Sequence, residues 1–386
     1  MRLRTIAVVL AITTTLGVVT ATAAQASRHP SATTTVGPAA LRAAGGPGSV
    51  PWATVGPGWL LATWSPRTAH RSLAAATSQY LVLIAPTGTR YLIAAIATPD
   101  VQLLSWSGDG QRALLQAGVR RTTLEVMDLH TGTVAHAFDF PTSNSVFFNT
   151  ARFTRPQGFA IDVSTQTNNH QLLTRYSVDG TAQQTYPASF SRIGRYSGAF
   201  LSSPDGTQLV MGAQHGLAVV SNGATVVAQL PIGGAGYCQP QRWWSATVVL
   251  ASCGSPSRLY EFSVTGGAPK AVTRVPRPPD SGDLSAWRVD HATYVQVASA
   301  CGYEYLARLH GATPVRIMVP GVPIGNTVTV IGASPHALAV EATIACMGGA
   351  SLLSYTPSTR SARVVLGHPA TGGEVNGALV YPPPLG

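Results

Sequence analysis

From about Val50 onward, apolar and polar positions alternate in runs of about five to eight residues, each bounded by Gly, Pro, Asn, Asp or Ser. A period of two places successive side chains on opposite faces of an extended segment, so the pattern predicts strands joined by tight turns. No stretch holds a 3.6-residue period over three turns, and no long helix is expected. The first group of strands falls near Trp59–Trp64, Tyr80–Ala85 and Arg90–Ile96, the second near Gln102–Trp106, Arg112–Ala117, Thr123–Leu129 and Val134–Phe138. Further groups begin near Ser145, Tyr196, Gln239, Leu284 and Thr327.

Groups of about four strands recurring every ~42 to 50 residues are the spacing of propeller blades. The fold class expected is therefore all-β: a β-propeller of four-stranded antiparallel blades, seven by the count of groups. Six or eight stay open because the first and last groups are the least regular. The turn Ser203-Pro204-Asp205-Gly206-Thr207, followed by Gln208-Leu209-Val210-Met211, resembles the SPDG turn and second strand of the TolB-type propeller repeat. Trp106-Ser107-Gly108-Asp109-Gly110 before Arg112-Ala113-Leu114-Leu115 is a degenerate copy. Asp-Gly suits both because the glycine accepts a left-handed conformation at the point of reversal. The resemblance is clear in two blades and implies the fold rather than an activity, since propellers host binding scaffolds, lyases, hydrolases and peptidase lids.

The ends of the chain change the picture. Arg2 and Arg4, the apolar and Thr-rich stretch to Ala23 and the triplet Ala24-Gln25-Ala26 have the layout of a signal peptide over residues 1–26. An uncleaved anchor is the other reading, weakened by Thr13, Thr14, Thr15 and Gly17. Residues 27–49 carry almost no large apolar side chains and are expected as a flexible leader to a single propeller domain over 50–386. At the other end, Gly377-Ala378-Leu379-Val380-Tyr381 could pair with the first blade and close the ring, or remain a free tail.

Charged residues make up only 10% of the chain, which has 39 glycines and 28 prolines, a balance suited to many strands and turns. The net charge is +10, carried by scattered arginines with Lys270 the only lysine. That favours weak attraction to anionic envelope polymers over nucleic acid, which calls for a basic stripe. No later segment is long and apolar enough to span a bilayer, so the expectation is a secreted or cell-wall-associated monomer.

Four cysteines in an exported chain point to disulfides. Cys253, Cys301 and Cys346 each end the second strand of their group, and Cys238 precedes the first strand of the fifth. The start of a first strand lies beside the end of the second, which pairs Cys238 with Cys253 and leaves Cys301 with Cys346.

Catalytic patterns are absent: there is no GxSxG, P-loop, GxGxxG before a helix, HExxH or EF-hand spacing, and the histidines are dispersed. Asp280 and Asp283 could offer oxygen ligands to calcium but read better as turn formers. No cofactor or metal is expected. Tyr237, Trp243, Trp244, Tyr303 and Tyr305 cluster in the cysteine-bearing third and form a candidate ligand face, since flat rings stack on sugars or peptides at small entropic cost. Packing between blades is the preferred role for most of them, and the adjacent Trp243 and Trp244 must point to opposite faces of a strand, so that both could be lodged between neighbouring blades. The reading is a noncatalytic module that binds an envelope or extracellular protein or glycan, with a propeller lyase or hydrolase as the alternative.

Overall fold

Each strand group expected from the pattern is present as antiparallel sheet. The computed structural model describes residues 41, 43–66, 79–96, 101–118, 123–139, 146–167, 170–234, 236–276, 278–343 and 349–381. The signal segment 1–26 and leader residues 27–40 lie outside them. Four sheets of four strands span 102–139, 146–185, 238–271 and 280–316. A fifth spans 189–231 and carries an extra two-residue strand, Ser189–Phe190, ahead of its first long strand. An eight-stranded sheet combines 327–366 with Leu60–Ser65, Gln79–Ile84, Arg90–Ile96 and the tail strand Glu374–Val380, and its halves meet at the single pair Ala350↔Val375.

Burial peaks in the second strands of several sheets and is lowest in the outer ones. The second strands Arg112–Ala117, Gln208–Ala213 and Val248–Cys253 are buried at five of six positions, while the outer strands Thr133–Asp139 and Ala182–Thr185 are almost wholly exposed. Strands covered on both faces need apolar residues without alternation, which is why LVMGA and VLASC break the period-two pattern. Apolar clusters lie between sheets adjacent in sequence. One joins Leu201, Val210 and Leu230 to Val249, Ala251 and Phe262, and another joins Trp287, Tyr294 and Leu306 to Val328, Val340 and Leu353. The last cluster packs Leu352 and Val365 against Leu60, Trp64 and Val82, returning the packing to the first strands.

The tail closes this circuit. Leu60 pairs with Val380, Leu61 with Leu379 and Ala62 with Ala378, and the Tyr381 N–H donates to Trp59 O at 2.8 Å. The extended tail of the sequence reading is thus an innermost strand. Residues 43–49, expected as the end of the leader, differ from that expectation. The Ala44 N–H donates to Arg90 O at 2.7 Å and the Leu92 N–H to Gly45 O at 3.0 Å, so this segment runs along the outer strand Arg90–Ile96. Its own side chains are small, and the backbone bonds to an open sheet edge hold it there.

The SPDG turn forms as its chemistry dictates. Ser203 Oγ donates to Asp205 Oδ1 at 2.6 Å, the Thr207 N–H donates to the same oxygen at 3.1 Å, and Gly206 takes φ +73°. The degenerate copy repeats it with Ser107, Asp109 and Gly110 at φ +75°.

Candidate functional site

The strand directions bring the starts of first and third strands and the ends of second and fourth strands to one rim. Cys238 opens Cys238–Ser245, Cys253 ends Val248–Cys253, and the two are direct register partners. They are joined by a disulfide with a Cα–Cα distance of 4.1 Å. Cys301 lies in the short helical turn Ala300–Gly302 after Ala292–Ser299, on the same rim. Cys346 falls outside the described residues.

The five aromatic residues of the candidate ligand face occupy different settings. Tyr237, beside the disulfide, is 53% exposed. Trp243 packs with the cluster shared with the preceding sheet, and its Nε1 donates to Ser202 O at 2.9 Å. Trp244 packs the other way, against Leu250, Leu259 and Val295, under the Arg288 guanidinium at 4.0 Å. These two tryptophans join neighbouring sheets, as opposite-facing neighbours on one strand can. Tyr303 and Tyr305, two residues apart on extended backbone, share a face, and their rings lie 6.2 Å apart at 30°. Arg316 pairs with Ala307, the next residue on that face, so its guanidinium sits 5.2 Å from both ring centres. Arg316 Nη2 donates to Tyr303 Oη, and Tyr305 Oη donates to Asp280 Oδ2 at 2.9 Å. Burial, that bond and the Asp280 charge push the Tyr305 hydroxyl well above its usual pKa, so it stays a donor.

A cleft of about 390 Å³ opens on the same rim, lined by Val322, Asn326, Gly349, His368 and Glu374 among others. A notch beneath Tyr303, Tyr305 and Arg316 shares Val322, Pro323 and Asn326 with it, so the aromatic platform runs into the cleft. Ile324, 82% exposed, and Met318, 49% exposed, flank the junction. A concave wall of mostly apolar character with a few convergent polar groups is the general form of a ligand site.

Asp280 and Asp283 are not in a turn. Both belong to the strand Asp280–Val289, whose two bulges, at Asp280/Gly282 and Asp283/Ser285, draw Asp283 inward. The Asp283 N–H donates to Ser257 O at 2.9 Å, and its carbonyl oxygen accepts from Ser252 Oγ at 2.8 Å. Its side chain is 1% exposed and Oδ2 has no hydrogen-bond partner. Burial lifts its pKa to about 6, helped by the Asp280 charge and opposed by Thr273 and Arg258. Among the described residues, no three His, Cys, Asp or Glu side chains converge as a metal site. Sequence reasoning missed Arg316, His368 and Glu374, because only the register and the closed ring place them beside the tyrosines and the cleft.

The sheets, their circuit of packing and the tail strand define a β-propeller. No family model and no curated protein sequence matches the chain. Solved propeller-fold structures do. Dihydro-heme d1 dehydrogenase NirN, solved in complex with DHE, superimposes with a TM-score of 0.50 at 12% identity, covering 84% of this chain and 75% of that one. A prolyl endopeptidase gives a TM-score of 0.51 at 12% identity, over 78% of this chain and 48% of the enzyme. TolB from Acinetobacter baumannii gives 0.47 at 11% identity, over 83% of this chain and 66% of that one. At such identities the first two likenesses show the fold alone.

Proposed function

We propose that this chain is a seven-bladed, TolB-like propeller acting outside the cytoplasm as a noncatalytic module that binds a protein or glycan segment on its disulfide-bearing rim. The carrying observation is the platform of Tyr303, Tyr305 and Arg316 opening into the cleft above Val322 and Asn326. Two ring faces beside a planar cation suit a sugar or an extended peptide, which offer both flat apolar surface and hydrogen-bond acceptors. The Cys238–Cys253 disulfide supports an oxidising compartment. The strand groups support seven blades if the eight-stranded sheet is divided at Ala350↔Val375, and the SPDG turn geometry supports the TolB-like repeat.

A second reading, a lyase or hydrolase, is favoured by Asp283, a carboxyl raised to about 6 beside Asp280 and Tyr305. Titration calorimetry of the oxidised protein with soluble cell-wall glycan fragments and with envelope-protein peptides distinguishes the two. Saturable binding to one of these classes is expected, with ligand mass unchanged and affinity reduced about tenfold or more in Tyr303→Ala and Arg316→Ala. Shortened fragments in the mixture, lost in Asp283→Asn, would establish the enzyme instead.

A further inference from the structure

Two arginines lie on innermost strands and a third follows one of them, away from the aromatic rim. Arg152 stands near the end of Val146–Phe153, Arg155 three residues later, and Arg242 within Cys238–Ser245. Among the described residues each of these strands pairs on one side only, with Ala160–Thr167 and Val248–Cys253 respectively, so its other edge faces the middle of the ring. Each is also bulged, at Phe148/Thr150 and at Pro240/Arg242, a device that re-aims side chains.

The guanidiniums of Arg152 and Arg242 each lie beside an aromatic ring of the following sheet. Arg152 Cζ lies 5.9 Å from the ring centre of Phe200, on the next sheet. Arg242 reaches the 280–316 sheet, where Nε and Nη2 each lie 3.3 Å from Ser285 Oγ and Cζ lies 4.1 Å from the Trp287 ring centre. Arg152 is accessible to solvent, yet the protein around it desolvates its charge enough to lower its pKa. Burial and then the Arg152 charge lower the pKa of Arg155, and the same two causes bring Arg242 down to about 9, so Arg152 is electrostatically close to both.

All three remain cations at neutral pH, and their charge is uncompensated. Among the described residues no carboxylate forms an ion pair with Arg152, Arg155 or Arg242, whereas Arg112, Arg175 and Arg288 each have one. Desolvated like charges in one space are costly, and a fold that needed only packing there would be better served by apolar side chains. We propose that Arg152, Arg155 and Arg242 form an anion site inside the ring for a compact, multiply charged phosphate. Several planar forks match phosphate oxygens, and a single carboxylate would neutralise only one of the three charges. The phosphate is either a free anion or the terminal monoester of a larger molecule.

The test is calorimetry and thermal melting of the oxidised full chain at low ionic strength, with sodium pyrophosphate and with glycerol phosphate as probes. Saturable binding is expected, with a melting temperature that rises with ligand concentration. Tighter binding of pyrophosphate assigns a free anion, and equal or tighter binding of glycerol phosphate assigns an ester. Arg152→Gln and Arg242→Gln are expected each to weaken binding about tenfold or more, while without ligand Arg152→Gln melts no lower than wild type because repulsion is relieved. Arg152→Lys keeps the charge and stem and is expected to bind with intermediate affinity, and Arg288→Gln to bind as wild type. Absence of saturable binding, equal affinity in wild type, Arg152→Gln and Arg152→Lys, or the same melting shift from sodium chloride at matched ionic strength would overturn the site.

Discussion

Asp283 has a raised pKa of about 6, with burial as the leading cause. The folded state therefore holds a proton between about pH 4 and pH 6 that the unfolded chain has released. Stability from this group falls as pH rises through that window and is level above it. A shift of about two pH units corresponds to ~3 kcal/mol at neutral pH. Asp283→Asn removes this cost, so urea unfolding should find the variant gaining stability over wild type as pH rises from 4 to 7. Parallel pH profiles for the two proteins would show that Asp283 does not titrate in this way. Residues such as Asp205 and Asp179 lie at the other extreme. Their hydroxyl and backbone partners come from the same turn, and those bonds hold their pKa values down. Chemistry contained in five adjacent residues is legible in a sequence. The burial of Asp283 is not, because it meets Ser257 and Thr273, residues ten or more positions away whose approach depends on how the two sheets pack.

At the scale of elements, the position of a cysteine within a strand repeat is enough to find its partner when the two strands are hairpin neighbours. Cys238 and Cys253 face each other because a first strand and the second that follows it must run antiparallel in register. The bond closes a loop of 15 residues, for which the chain-entropy model gives about 3 kcal/mol. Cys253→Ser should lose roughly that amount in denaturant unfolding. Non-reducing peptide mapping should recover Cys238 linked to Cys253 and Cys301 linked to Cys346, and free thiol at Cys301 would exclude the second pair. The same register logic explains the aromatic platform. Tyr303 and Tyr305 could be placed on one face from their spacing, but Arg316 reaches them only through its pairing with Ala307.

For the whole molecule, closure rests on Glu374–Val380. This strand covers the edge of Leu60–Ser65 and brings Val375 into the cluster that contains Leu41, Trp64 and Leu352. Trp64 Nε1 also donates to Gly372 O at 2.9 Å, which ties the start of the tail to the first strands. A chain ending at Gly372 loses the strand, bares an innermost edge and exposes this cluster. Calorimetric melting should show a loss of at least ~3 kcal/mol, with self-association through the open edge. Melting identical to that of the full chain would mean that the tail adds nothing to closure.

The sequence by itself determined the strands, their grouping in fours, the turns that reverse them and the first disulfide. Each of these depends on side-chain period, on turn chemistry within a few residues, or on hairpin neighbours. Only the tertiary structure decided which edges meet and what the first strands face. It placed residues 43–49 against Arg90–Ile96, turned Trp243 and Trp244 into the joints between sheets, and set Arg152 and Arg242 on innermost strands of different sheets. The physical reason is that a propeller builds its sites from residues tens of positions apart, through sheet twist, bulges and closure, and no local pattern of hydrophobicity encodes that convergence.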